Sequence, residues 1–195
     1  MKNLVKGIFF YIGLLSSVAV QAQTYKIDPG HTAITTKVMR FGVVNVVGRF
    51  NRVSGSITYN PNDLSTTKGE IFITTDSYTA NNVDGEAAVK GPGFLDVANF
   101  PEMKFSVAKL TKAGNGFMVE GSLILHGVTK TIIFPASING PLIDLPTGKQ
   151  SIGISGALVV NRQDYGLKMA RKTPDGRELV GSEVAIEINL LAIAE

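Results

Sequence analysis

The stretch Phe117–Ile138, FMVEGSLILHGVTKTIIFPASI, decides the fold. Phe117, Val119, Gly121, Leu123 and Leu125 alternate with Met118, Glu120, Ser122, Ile124 and His126. After a break at Gly127 the alternation resumes with Ile132, Phe134, Ala136 and Ile138. Period two sends one set of side chains to a buried face and the other to water, the habit of antiparallel strands. The pattern continues outward in both directions. Met103, Phe105 and Val107 repeat it around Lys104 and Ser106. Val53, Gly55, Ile57 and Tyr59 alternate with Ser54, Ser56 and Thr58, and the turn residues Asn60-Pro61-Asn62-Asp63 end the run. Val184, Ile186, Ile188, Leu190 and Ala192 alternate with Glu183, Ala185, Glu187, Asn189 and Leu191.

Hairpin-like spacing predicts about eight or nine strands. They fall near residues 24–28, 32–41, 46–59, 68–77, 103–111, 116–125, 130–138, 150–160 and 182–193, and the first continues naturally into the second. Unbroken, 46–59 would reach about 45 Å at roughly 3.3 Å per residue. Its alternation slips between Phe50 and Val53, which predicts a bulge or bend. Long, bent antiparallel strands suit a closing barrel. The expected fold is therefore all-β, a single antiparallel barrel of about eight strands in one domain, 23–195. Two segments break the pattern. Residues 84–90 read as a short helix stopped by Gly91-Pro92-Gly93. Asn161 to Gly181 is a long polar connection of the kind that forms lids or mouths.

The N-terminus sets the expected compartment. Lys2 and Lys6 precede the apolar run Ile8–Leu15, and small residues lead to Ala22. This is the layout of a cleaved secretory signal peptide over residues 1–22. The run is shorter than the roughly 20 residues a bilayer span needs. Cysteine is absent, so no disulfide forms. Hydrophobic residues make up 44% of the chain, ample for a packed core. The formal charge is +3, of which Lys2 and Lys6 supply two, leaving +1 on 23–195. That near-neutral balance argues against a nucleic-acid partner. Cations scattered along the sequence show no polybasic run for a membrane surface.

Candidate chemistry is thin. The two histidines, His31 and His126, with no cysteine, do not make a metal site, which needs three or four ligands. His126 beside Gly127 reads as a turn residue. His31 follows Asp28 by three residues, so a hydrolase reading would make it a general base oriented by that carboxylate. No Gly-x-Ser-x-Gly nucleophile elbow accompanies it, and Asp-Pro-Gly is turn chemistry. Arg162 and Asp164 allow two readings. They form either a barrel-mouth cluster that holds a phosphate or quinone head, or an internal ion pair that closes the barrel end. Glu183 and Glu187 read as solvent-facing charges.

At the scale of motifs the chain resembles the YceI-like proteins, bacterial periplasmic lipocalin-like barrels that bind polyisoprenoid lipids. The resemblance rests on Tyr25-Lys26-Ile27-Asp28-Pro29-Gly30-His31-Thr32, Gly48-Arg49-Phe50 and Gly55-Ser56-Ile57. It continues through Phe94-Leu95-Asp96-Val97-Ala98-Asn99-Phe100-Pro101 with Phe105-Ser106, then Gly121–Lys130, then Arg162-Gln163-Asp164-Tyr165-Gly166. The order and spacing of these motifs span nearly the whole of 23–195. Two positions depart from the family: Arg40 stands where many members carry a histidine, and Gly85-Glu86-Ala87-Ala88 stands where many carry Arg-Asp-x-His. Both departures fall on polar positions of the kind that meet a ligand head, so the family's head-group recognition is not carried over to them, while the apolar barrel is.

An eight-stranded barrel either fills its interior with side chains or holds one ligand, and periodicity does not choose between these. The resemblance implies the second, a lipocalin-like barrel carrying a polyprenyl phosphate or quinone non-covalently in the periplasm, with no other cofactor. The expected lining is Phe50, Ile57, Ile73, Phe105, Val119, Leu123, Phe134, Ile186 and Ile188. His31, Arg40, Arg162 and Asp164 are the polar mouth candidates. Two other classes stay open. One is an interaction protein whose loop 161–181, with Tyr165, Leu167 and Met169, meets a membrane or membrane protein. The other is an enzyme using His31 with Asp28 or Asp164. A homodimer is compatible with every reading.

Overall fold

The computed structural model describes residues 22–195, so the signal-peptide expectation lies outside the described residues. Eleven strands and one α-helix run in the order β1 (Gln23–Ile27), β2 (Ala33–Arg40), β3 (Val44–Phe50), β4 (Val53–Tyr59), β5 (Lys68–Thr74), β6 (Tyr78–Thr79), α1 (Val83–Lys90), β7 (Glu102–Ala113), β8 (Gly116–Leu125), β9 (Val128–Ile143), β10 (Gln150–Asn161) and β11 (Val180–Ala194).

Eleven strands make eight staves, because three staves are broken. A 3₁₀ turn at Pro29–His31 separates β1 from β2, as expected for one interrupted strand. Its N-cap is Asp28, whose carboxylate accepts from the Gly30 N–H at 2.8 Å. The slip read at 51–52 is real: β3 ends at Phe50 and β4 begins at Val53. The stretch expected as one strand over 68–77 ends at Thr74, and a 3₁₀ turn at Thr75–Ser77 leads into β6. At one end of the barrel the antiparallel circuit β1–β4–β5–β7–β8–β9–β10–β11 closes where Tyr25 pairs with Ala194. Tyr25, Ile27, Ile152 and Ala192, each at most 3% exposed, plug that end.

The other end opens. There β11 pairs with β2, β2 with β3, and β3 with β6, and pairing stops. On the far side, β9 and β10 pair only as far as Ala136 with Gly156. Residues 128–135 keep their pairing with β8, and 157–161 keep theirs with β11. Pro135 explains part of the split, since it offers no N–H to a neighbour. The barrel is thus a full circuit below and two half-sheets above, β7–β8–β9 facing β10–β11–β2–β3–β6. The helix α1 and the turns over 91–101 cover the opening on the β6 side. The sequence placed this helix within one residue. Its cap is Asn82, whose side chain accepts from Gly85 N–H.

Candidate functional site

The barrel holds two adjoining chambers. The inner one, about 140 Å³, runs between the plug and the waist of the barrel. The outer one, about 550 Å³, lies under α1 and the 162–180 connection. Thr36, Phe50, Met103, Leu125 and Ile186 line both and stand where the two meet. Because the barrel strands alternate, the inward phase of each contributes to this wall. All nine residues expected to line the interior do so: Phe50, Ile57, Ile73, Phe105, Val119, Leu123, Phe134, Ile186 and Ile188 face the inner chamber.

The hollow persists because three aromatic rings lie along the wall instead of across the lumen. Each rests over a glycine in an inward position. A Cβ on Gly121 would stand 2.3 Å from the Phe105 ring, one on Gly156 3.1 Å from the Phe134 ring, and one on Gly48 2.1 Å from the Tyr78 hydroxyl. The rings also meet each other, Phe105 with Phe134 at 5.7 Å between centroids and Phe50 edge-on to Tyr78 at 5.4 Å. Burial pushes the Tyr78 phenol up, while its hydrogen bond with Thr36 pulls the other way. Thr67 adds a rare polar wall atom: its Oγ1 is buried with no hydrogen-bond partner, a cost that an apolar ligand does not relieve.

The four polar candidates separate. Arg162 is 3% exposed, yet its guanidinium borders the outer chamber. It makes no ion pair with Asp164. Instead Nε donates to Gly181 O at 2.9 Å, Nη1 to Leu167 O at 2.5 Å, and Nη2 to Met169 O at 2.8 Å and Val180 O at 2.9 Å. Four of the five donors a guanidinium offers are spent on backbone carbonyls, and the ring of Phe94 lies 5.5 Å away. Burial pushes its pKa down, and Glu178 partly offsets this; it stays charged. Asp164 points outward to Lys130 at 3.3 Å, so the expected Arg162–Asp164 cluster, in either form, does not exist. Arg40 lies at the mouth, stacks over Phe41 at 4.1 Å and borders the outer chamber. His31 is misplaced by the sequence reading. It sits just before β2, nine residues and a stave's length from Arg40, on the closed end, held by Asp28 at 2.7 Å.

The interaction reading of the 161–181 loop also changes. Tyr165 and Leu167 are buried at 2% and 6%, because the connection folds back over the barrel end. His126 occupies the tight β8–β9 turn with positive φ, its ring 4.0 Å from Phe100. Among the described residues no group of three or more potential metal ligands gathers. Sequence reasoning missed Tyr78, Phe94 and Leu95, which line the outer chamber. Their signal was the apolar content of a segment that had no strand period to organise it.

A closed eight-stranded antiparallel barrel around an apolar, end-opening cavity defines a lipocalin-like binding architecture. The YceI-like domain matches residues 25–192, and the chain belongs to the YceI-like family. A UPF0312 protein of Shewanella sp. (strain ANA-3) is 35% identical over 159 residues, covering 80% of this chain and 83% of that protein. One from Shewanella denitrificans is 34% identical over 172 residues, covering 87% and 90%. Among solved structures, BcnA of Burkholderia cenocepacia superposes with a TM-score of 0.72 at 18% identity, over 85% of this chain and 98% of its own. A polyisoprenoid-binding domain from Saccharophagus degradans superposes with a TM-score of 0.66 at 14% identity, over 90% and 100%.

Proposed function

We propose that this protein binds an isoprenoid-type lipid, a polyprenyl phosphate or a quinone, non-covalently and without catalysing a reaction on it. The observation that carries the reading is the pair of adjoining chambers, the inner one walled almost wholly by apolar side chains and the outer one bordered by arginine at the mouth. A prenyl chain gains about 25 cal/mol for each Å² of apolar surface it buries, less the cost of ordering. A polar head in the outer chamber meets Arg40 and the one free N–H of Arg162, both suited to phosphate or carbonyl oxygen. The shared fold with the polyisoprenoid-binding domain of Saccharophagus degradans supports the ligand class. The inner chamber is close in size to an apolar cavity of about 150 Å³ that holds benzene. A longer chain therefore threads it only as the half-buried walls at Phe105, Ile186 and Ile188 yield. Export to the periplasm rests on the N-terminal sequence, residues 1–22.

The test is native mass spectrometry with lipid extraction on protein purified from its own periplasm. A co-purifying prenyl lipid, restored to emptied protein by adding a prenyl alcohol or quinone, is the expected result. Emptied protein that takes up no prenyl compound overturns the reading.

A further inference from the structure

The mouth of the barrel carries a surface that the cavity itself does not use. The β2–β3 hairpin turns through Phe41 and Gly42, both at positive φ, with Val43 N–H closing on Arg40 O at 3.0 Å. This rigid tip exposes apolar side chains to water: Val43 is 73% exposed, Val44 55%, Val47 52% and Met39 40%. No other described residue covers them.

A second hairpin stands beside the first. Thr173 N–H bonds Arg177 O, Lys172 pairs with Glu178, and Leu179 N–H bonds Arg171 O. The two tips are tied together, since Phe41 N–H donates to Leu179 O at 3.0 Å and Arg177 Nη1 donates to Phe41 O at 3.1 Å. The fold thereby gathers cations that the sequence scatters. Arg40, Arg171, Lys172 and Arg177 share this edge with Asp175, Glu178 and Glu183, the last beside Met39 where β11 bulges between Val180 and Val184. Arg177 is paired to Asp175 at 2.7 Å, while Arg40, Arg171 and Lys172 form no ion pair with any described residue.

Exposed aliphatic side chains flanked by unpaired cations fit the interface of an anionic bilayer. We infer that the barrel docks mouth-first on an anionic lipid surface through the Met39–Val47 tip, with Arg171 and Lys172 on the headgroups. A second copy fits worse, because face-to-face mouths would oppose like charges. Asp84 and Glu86 open α1 just beyond β6, on the β3 flank of this hairpin, so the β2 flank with Arg171 and Lys172 leads. The inference rests on the carrier reading, since docking at this edge brings the cavity's opening to the source of its lipid.

A second apolar tip makes the inference falsifiable. At the closed end the β9–β10 connection exposes Leu142 at 71%, Ile143 at 60% and Leu145 at 90%. Apolar exposure alone would favour that end, where Lys149 is the one cation in the same connection; the mouth edge sets Arg40, Arg171 and Lys172 beside its apolar tip. The experiment floats the protein with vesicles of phosphatidylethanolamine and phosphatidylglycerol, or of phosphatidylcholine alone, and separately measures uptake of all-trans-retinol by its fluorescence. Wild type should float with the anionic vesicles, less so at high salt. Val43→Asp with Val44→Asp should lower the bound fraction about tenfold or more, and Arg171→Glu with Lys172→Glu by a similar factor. Leu142→Asp with Leu145→Asp should float as wild type does. Circular dichroism and unchanged retinol uptake show that the variants remain folded. Wild type that ignores anionic vesicles overturns the inference, as does loss of flotation only in the closed-end variant. Protein that floats yet takes up no retinol ends the carrier reading and leaves the docking surface standing.

Discussion

Phe105 points inward and yet is only half-buried, because the space beyond its ring is cavity. Its ring is fixed on one side by Gly121, where any Cβ would collide at 2.3 Å, and on the other by Phe134. Truncating a phenylalanine in a filled core costs about 3–5 kcal/mol. Here part of that contact is already missing, so Phe105→Ala should cost about 1–2 kcal/mol in urea melts of the empty protein, and should weaken retinol binding by more than it weakens folding. A full core penalty with unchanged affinity would identify a packed interior at this position. At the closed end, His31 and Asp28 make a different kind of prediction. Their hydrogen bond holds the His31 imidazole above its ordinary value near 6.5. The same bond, with help from Gly30 N–H, holds the Asp28 carboxylate below its own. The His31 share of stability is complete below the ordinary imidazole value and is lost as pH rises through the raised one. The Asp28 share is complete above the ordinary carboxylate value and is lost as pH falls through the lowered one. The pair therefore helps most between those two titrations, and only slightly, because His31 is exposed. Proton NMR should find the raised His31 titration, and Asp28→Asn should return it to the ordinary value. An unshifted His31 in the unmodified protein would show that the pair does not persist in solution.

Among elements, the 166–181 connection depends on one side chain. Arg162 collects the carbonyls of Leu167, Met169, Val180 and Gly181, pinning both ends of the connection to one guanidinium. A lysine places a point charge where a planar fork is needed. Arg162→Lys should cost about 3–5 kcal/mol and loosen this connection, read as protease cleavage within 166–180 before global unfolding. Stability and cleavage equal to the unmodified protein would show that the carbonyls are satisfied otherwise. The same element marks how far the sequence could be read. Strands such as β8 were legible because period two reports burial on one face, and the break at Asn51-Arg52 was legible because a break shifts that period. The role of Arg162 was not, since an arginine near a carboxylate in sequence suggests an ion pair, and backbone carbonyls carry no residue identity. Tyr165 and Leu167 read as exposed for a related reason: a loop's apolar residues have no period to say which way they face. The hollow was equally silent. Gly121 sat in the apolar phase of its strand, but a glycine beneath a cross-strand aromatic is visible only when the register pairing Phe105 with Leu123 is known.

On the scale of the whole molecule, the barrel is strongest where its circuit is complete and weakest where its two half-sheets part. Below Ala136 and Gly156 every stave has neighbours on both sides. Above them, 128–135 and 157–161 each keep one ladder only, and side chains bridge the divide. Lys130 reaches Asp164 at 3.3 Å and lies 5.9 Å from the Tyr165 ring. Exposed ion pairs of this kind contribute little, about 0–1 kcal/mol. The outward side chains nearest the parting, Ile133 and Val159, are apolar and about 60% exposed. Gly156 and Ile188 border the inner chamber and also a shallow surface groove outside it, so the wall here is one residue thick. Local opening should therefore begin at this seam. Hydrogen exchange on the empty protein should show amides in 157–161 exchanging faster than those in 150–156 of the same strand. Filling the lumen with retinol should slow the upper segment most, because a ligand that touches both half-sheets penalises their separation. The size of that slowing should track affinity across Phe105 variants. Uniform protection along β10, with or without ligand, would mean that the half-sheets are held together by more than the pairing describes, and that the barrel yields, if at all, only at its mouth.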